Sequence, residues 1–288
     1  MSKLRRKEKY LSLFFLLPSL LIYALLIIYP LYETIHLSFY KFRYIEKKIE
    51  FVGLRNYEKL LSYELFQKAI INTLVFDVMA TSLQLLTGFT LALIFSKSFK
   101  FRPIFLPLAI LPMVMPAAVV CSIWKLMFDY RFGILNNILA SIGLPRLEWL
   151  TNPHLAMISM VIVDTWQYTP FVFLVLLAGL QSIPRELYEA AMVDGASKFD
   201  IFKSITLPLL MPHIKIVVLL RIIDTFKIFT KPALLTGGGP GDATETLTLF
   251  FYKEAFRFFE LGTGATVSVI MTVIVGVLSI LYLKRVRL

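Results

Sequence analysis

The chain has 288 residues, 58% hydrophobic and 17% charged, with a formal net charge of +11. A water-soluble domain is usually below half apolar and near a quarter charged, so this balance argues against a soluble enzyme. The basicity does not point to nucleic acid, because much of it flanks apolar segments: Lys3, Arg5, Arg6, Lys7 and Lys9 precede the first, and Lys284, Arg285 and Arg287 follow the last. Such placement is that of charge held at the cytoplasmic face beside anionic lipid.

Apolar segments at 11–39, 69–96, 103–128, 155–180, 212–236 and 262–283 have bilayer length. They predict an all-α, polytopic membrane bundle of about six transmembrane helices. Residues 1–10 form a basic N-terminus and 11–288 a single transmembrane domain, with a polar loop at 181–211. The first segment reads as a retained signal-anchor helix, since the apolar run from Leu11 to Tyr32 is too long for a signal peptide and no small-residue cleavage site follows. Six spans put both basic ends on one side, expected to be cytoplasmic, and Lys97, Lys100 and Arg102 between spans two and three agree. The loop from Tyr40 to Lys68, assigned outside, also contains seven Lys and Arg residues, so charge alone orients the chain weakly.

Span two carries Asp77 and Gln84, seven apart and so on one face. Span three contains Pro103, Pro107, Pro112 and Pro116, which predict a kinked or partly unwound helix. Irregular backbone at membrane depth survives where protein or a water-filled cavity satisfies it. A packing kink and a gating element both fit. Cys121, the single cysteine, excludes an intrachain disulfide and reads as a small packing residue.

Span four contains Asp164, Trp166, Gln167 and Tyr168, about ten residues in from His154. Sugars offer C–H faces to aromatic rings and hydroxyls to amides and carboxylates, so this set suits a carbohydrate; Trp and Tyr are equally typical of interface belts. Span five has the densest charge: Lys215, Arg221, Asp224, Lys227 and Lys231. Spacings of three, three and four place the last four along one helical face, with Asp224 able to pair with Arg221 or Lys227. They form either the wall of a translocation path for a polyhydroxylated ligand or a structural ion pair with snorkelling lysines.

The stretch Gln181–Pro212 is too polar to span yet strongly patterned. Ser182 and Pro184 suit a helix start, and Arg185–Val193 holds good helix formers. Asp194-Gly195 supplies a turn, and Ser197 with Asp200 resembles a capping box. Pro208 and Pro212 are expected to end the second helix before span five. The result is a helix–turn–helix on the inner membrane face, with Ala190 and Ala191 forming a smooth surface and Glu186 and Glu189 offering anchoring charge. It is either a docking element for another protein or an amphipathic interfacial hairpin without one.

These residues carry a resemblance. Glu189-Ala190-Ala191, Gly195 after three intervening residues, then Ile205, Leu207 and Pro208 are similar to the EAA motif of permease subunits of bacterial ABC importers. FVGLRNYEKLL at Phe51–Leu61, FGILNNIL at Phe132–Leu139 and LLTGGGPGDATETL at Leu234–Leu247 resemble the MalF/UgpA-type permeases of the carbohydrate-uptake branch, so the likeness covers nearly the whole chain. It implies that residues 11–288 are a permease domain and that Glu186, Glu189, Ala190, Ala191, Asp194, Gly195, Ile205, Leu207 and Pro208 belong to a coupling loop docking on a cytoplasmic ATPase. It further implies a second permease subunit, two ATPase copies, an extracytoplasmic solute-binding protein, and ATP and magnesium held by the ATPase and not by this chain. Many relatives carry an acidic residue around Thr230 or Lys231. The Thr-Lys pair here implies a more positive path, suited to a polyol, an acidic sugar or a phosphorylated one.

Other chemistries find no support. Gly237-Gly238-Gly239-Pro240-Gly241 is followed by no GK[ST] and preceded by no buried strand, so it reads as a tight extracytoplasmic connection and not a P-loop. His36, His154 and His213 fall in separate segments without metal-ligand spacing, and no GxSxG elbow is present. A membrane-embedded hydrolase would turn over lipid or peptide without partners. A passive channel or secondary carrier would copurify with no ATPase.

Overall fold

The computed structural model describes residues 15–97 and 99–286. The basic cluster from Lys3 to Lys9, the start of the first span at 11–14, and Arg287 lie outside them. The protein is predominantly α-helical, and among the described residues five helices are long and apolar enough to cross a membrane. They are α1 (Phe15–Ser38), α3 (Glu64–Ser96), α7 (Pro153–Gln181), α9 (Lys198–Phe226) and α11 (Leu261–Val286). A further pair, α4 (Arg102–Val114) and α5 (Ala117–Met127), is long and apolar enough together to cross but is bent by 99° between its halves.

The chain divides into two compact units. The first comprises residues 1–63 and 251–273. In it α1 leads into an antiparallel hairpin, β1 (Tyr40–Arg43) with β2 (Lys48–Phe51), and then into the short helix α2 (Arg55–Leu61). Asn56 ties this region together: its side-chain amide donates to the carbonyls of Ser38 and Tyr40, both at 2.9 Å. Thr266 of α11 also donates to Ser38 O, at 3.1 Å. A Cβ at Gly262 would lie 2.1 Å from Tyr40 O, so only glycine allows this approach. Arg43 bridges Glu46 at 3.0 Å and Glu260 at 2.5 Å. The hydrogen bond to Arg43 pulls the Glu46 carboxyl below its ordinary range.

The second unit comprises residues 64–250 and 274–288. α3 has 33 residues, a length of about 50 Å against a hydrocarbon core of about 30 Å. It packs along most of its length on α7, with α9 alongside both. Two glycines permit this. A Cβ on Gly88 would meet Val172 at 2.8 Å, and one on Gly179 would meet His213 at 2.7 Å. Small residues let membrane helices approach closely enough for dispersion to hold them where no hydrophobic drive exists. Phe95 and Phe173 meet edge to face at 5.1 Å in the core so formed.

The four prolines of span three do not act alike. Pro103 sits in the first turn of α4, where its missing donor costs nothing, and Pro107 and Pro112 ride inside the helix. The break falls at Pro116 alone, because a proline drives the residue before it out of the helical region. Met115 accordingly adopts φ −73°, ψ 137°. α5 then leads to α6 (Ile134–Ser141), whose buried Asn136 accepts from Leu147 N and Trp149 Nε1 at 2.9 and 3.0 Å.

Span five departs most from the sequence expectation of 212–236. α9 begins at Lys198, inside the polar loop, and ends at Phe226. Pro208 and Pro212 do not stop it. A π-helical turn at Phe202–Thr206 precedes them, so Pro208 enters where the hydrogen-bond ladder is already shifted and Pro212 is carried as an interior residue. Beyond Phe226 the chain unwinds at Lys227–Phe229, re-forms a π-helical turn at Pro232–Thr236, and enters the glycine-rich loop. Asn72 of α3 holds that loop by donating to Asp242 O and Glu245 O at 2.8 and 3.0 Å. Helix α10 (Leu247–Tyr252) follows, its Leu247 N–H bonded to Thr73 Oγ1 at 2.9 Å.

The close α3–α7 contact makes a prediction. Gly88→Leu overfills it and destabilises the protein by about 1–3 kcal/mol, measured as a lower midpoint of thermal unfolding in detergent. An unchanged midpoint would contradict the packing described.

Candidate functional site

The centre of the second unit is a carboxylate shared by two cations. Asp164 of α7 accepts from Arg221 Nη2 of α9 at 3.2 Å through Oδ2 and pairs with Lys231 Nζ at 2.7 Å through Oδ1. Gln84 of α3 closes the network, donating Nε2 to Asp164 Oδ2 and accepting from Arg221 Nε, both at 2.7 Å. All four side chains are buried. An isolated ion would be prohibitive in this environment, and the pairing is what allows the charges to persist. Arg221 Cζ and Lys231 Nζ also lie 4.6 and 4.4 Å from the ring centre of Tyr168, within cation–π range.

The remaining polar residues divide by role. Asp77 accepts from the Thr225 hydroxyl, one turn along α9 from Arg221. Gln167 does not face the ion cluster: its Nε2 donates to Met115 O at 3.0 Å, capping the carbonyl exposed at the break between α4 and α5. The demand that irregular backbone be satisfied by protein is thus met by a side chain from the neighbouring helix. Trp166 stacks edge-on against Trp124 at 5.8 Å.

Arg221, Asp224, Lys227 and Lys231 do not share one helical face. The helix ends after Phe226, Lys227 adopts φ −90°, ψ 16°, and Lys231 stands at the head of the next π-helical turn. The unwinding lets Lys231 fold back to Asp164, which continuing helix would prevent. Asp224 is exposed and reaches Arg221 Nη1 at 3.7 Å; Lys227 is exposed. A cavity of about 410 Å³ opens here, lined by Asp164, Tyr168, Arg221, Asp224, Lys227 and Lys231 and by residues 228–230 with Ala117. Its size is that of a small-molecule site. Asp77, Gln84, Trp166 and Gln167 are not among its lining residues. The positive charge expected at Lys231 is offset by Asp164.

The polar loop has its own built geometry. Helix α8 (Arg185–Val193) starts after Pro184, with Glu186 in its first turn where the helix dipole favours an anion. It ends in a Schellman turn: Gly195 has φ +78°, Gly195 N–H bonds Met192 O at 3.2 Å, and Ala196 N–H bonds Ala191 O at 2.9 Å. A complete capping box between Ser197 and Asp200 then starts α9. Tyr188 and Thr206 hydroxyls meet at 3.2 Å, tying α8 to α9. Glu186, Glu189, Ala190, Asp194, Gly195 and Pro208 are exposed, and Ala191, Ile205 and Leu207 are half-buried. The sequence reading missed the apolar side chains of this surface. Met192, Phe199 and Val193, which is 88% exposed, are all turned to the surface of the hairpin. Their signal was apolar residues at a turn with no helical periodicity to bury them.

Residues 84–286, more than two thirds of the chain, match the family of binding-protein-dependent transport system inner membrane components. The trehalose/maltose transport system permease protein MalF of Thermococcus litoralis is 39% identical over 98% of this chain and 96% of its own. The sulfoquinovosyl glycerol transport system permease protein SmoG of Agrobacterium fabrum is 32% identical, over 97% and 91%. A solved bacterial ABC transporter involved in the import of the acidic polysaccharide alginate shares the fold, with a TM-score of 0.86, 23% identity, and 99% of both chains covered. The chain belongs to this family, in its MalF/UgpA-like carbohydrate and polyol branch: it is a multi-pass inner-membrane permease subunit of an ABC importer and not the catalytic ATPase.

The shared carboxylate makes the site testable. Asp164→Asn leaves Arg221 and Lys231 buried without their counter-charge and destabilises the protein by about 3–5 kcal/mol. Thermal unfolding of the purified protein should show the loss, and Asp164→Asn combined with Lys231→Met should recover part of it. Equal stability of Asp164→Asn and wild type would contradict the shared ion pair.

Proposed function

We propose that this chain forms part of the translocation pathway for a sugar or a related polyol or glycerol phosphate, driven through the Glu186–Pro208 loop by a separate ATPase. The observation that carries the coupling is the hairpin of α8 and the start of α9. It is braced by a Schellman turn, a capping box and the Tyr188–Thr206 contact, yet it turns Glu189, Ala190, Met192 and Val193 outward. A rigid element with small and apolar side chains outward and acids beside them suits a cleft on another protein. α9 runs unbroken from this hairpin to Arg221, so displacement of the hairpin is carried to the ion cluster by one helix.

The ATPase stands on the cytoplasmic side, which makes the hairpin and both termini cytoplasmic. A second permease subunit and two ATPase copies holding ATP and magnesium complete the importer with an extracytoplasmic binding protein; permease, ATPase and binding protein are the general architecture of the family. The ligand meets the cavity beside Asp164. Asp224 and Lys227 are its exposed charged groups and offer hydrogen bonds to hydroxyls, while Tyr168 gives its ring to Arg221 and Lys231. Relatives named for trehalose/maltose and for sulfoquinovosyl glycerol support a sugar-type ligand.

Two tests follow. Glu189→Lys reverses an anchoring charge, and Gly195→Pro forbids φ +78°, because proline holds φ near −65°. Both should abolish uptake while the protein still reaches the membrane; normal transport by both would refute the coupling assignment. Asp224→Asn with Lys227→Gln should raise the KM for uptake about tenfold, as loss of charge-assisted hydrogen bonds does, at unchanged protein level. An unaltered KM would remove these residues from the path.

A further inference from the structure

A second cavity, of about 810 Å³, lies at the base of the hairpin. Four cations line it: Lys97 after α3, Arg102 opening α4, Arg185 opening α8 and Lys198 opening α9. Among the described residues no carboxylate lines it. Among the described residues none of the four forms an ion pair, and Arg102 Nε is buried without a hydrogen-bond partner. Four like charges around one space repel, and an anion placed among them relieves that cost. Ser96 and Tyr188 add hydroxyls to the lining, and Leu93, Leu180, Ile201 and Phe202 add apolar side chains.

We infer that this cavity holds the phosphate headgroup of an anionic phospholipid, with its glycerol and upper acyl carbons against the apolar side chains of the lining. Basic pockets between the ends of membrane helices recognise such headgroups. The apolar lining residues distinguish a lipid from free phosphate, and the position at the ends of α3 and α7 is headgroup depth for helices that span. The surface that suits the ATPase is a different one, the outward face carrying Glu189, Met192 and Val193. The lipid braces α8 against the spans. The leaflet it comes from, and any effect on coupling, rest on the functional reading proposed above.

Native mass spectrometry of the full-length permease, purified in mild detergent with the subunits that accompany it, tests this by titration with phosphatidylglycerol and phosphatidylcholine. Wild type should retain phosphatidylglycerol preferentially. Lys97→Gln with Arg102→Gln should weaken that retention about 25-fold, at roughly fivefold per charge, and Lys97→Arg with Arg102→Lys should restore it. Where the double variant does not reach the membrane, Lys198→Gln alone must still weaken retention about fivefold. Equal retention of the two lipids by wild type, or full retention by the neutralised variants, overturns the inference. Displacement of the lipid by inorganic phosphate at matching concentration makes the site one for a free anion and overturns it too. ATPase lost only from the double variant would make the cavity a protein-docking face, a third overturning result. ATPase absent from the wild-type preparation would refute the coupling reading, while the lipid titration still decides this one.

Discussion

One buried carboxylate holds the second unit in register. Asp164 is reached by Gln84 from α3, by Arg221 from α9 and by Lys231 from the chain beyond α9. In a membrane interior the hydrophobic effect gives no preference for helix on helix over helix on lipid, so polar contacts of this kind and close small-residue packing must fix the arrangement. Two cations on one anion also make the cluster responsive: any shift of α9 must break or exchange a buried ion pair. The unwound segment at Lys227–Phe229 is the means by which Lys231 reaches Asp164, and the same unwinding opens the cavity.

The broken span beside it follows the same rule. Pro116 forces Met115 into extended backbone, and the carbonyl thus freed is taken by Gln167 from α7. The side chain that made Gln167 a candidate ligand contact is committed to the scaffold. Asn56, Asn72 and Asn136 do comparable work at the loops, each closing carbonyls or N–H groups that irregular chain leaves open. Much of what looks like a signature in these loops, including the asparagines of FVGLRNYEKLL and FGILNNIL, is the cost of satisfying backbone.

The polar loop and the spans differ in how far local sequence fixes their arrangement. The hairpin's turn and caps were legible because they depend on local chemistry: glycine at positive φ, and serine and aspartate three residues apart. The charges of span five were legible as a group but not as an arrangement. Their 3-3-4 spacing assumed a helix that in fact ends at Phe226, and their true partner lies on α7. Pairing across helices leaves no periodic trace in one sequence. The prolines at 208 and 212 misled for the opposite reason, since a preceding π-helical turn changes what a proline interrupts.

The sequence by itself determined the solvent and the class. Apolar runs of bilayer length require a helical bundle, because lipid cannot satisfy open backbone, and the Glu-Ala-Ala to Gly spacing marked the permease family that the comparisons bear out. Only the tertiary structure decided which polar residues are scaffold and which face open space. It gave Gln84, Asp164, Arg221 and Lys231 to one another, Gln167 to the broken helix, and Asp224 and Lys227 to the cavity. The physical reason is that a buried charge is defined by its partner, and the partners stand as far apart in the chain as Gln84 and Arg221.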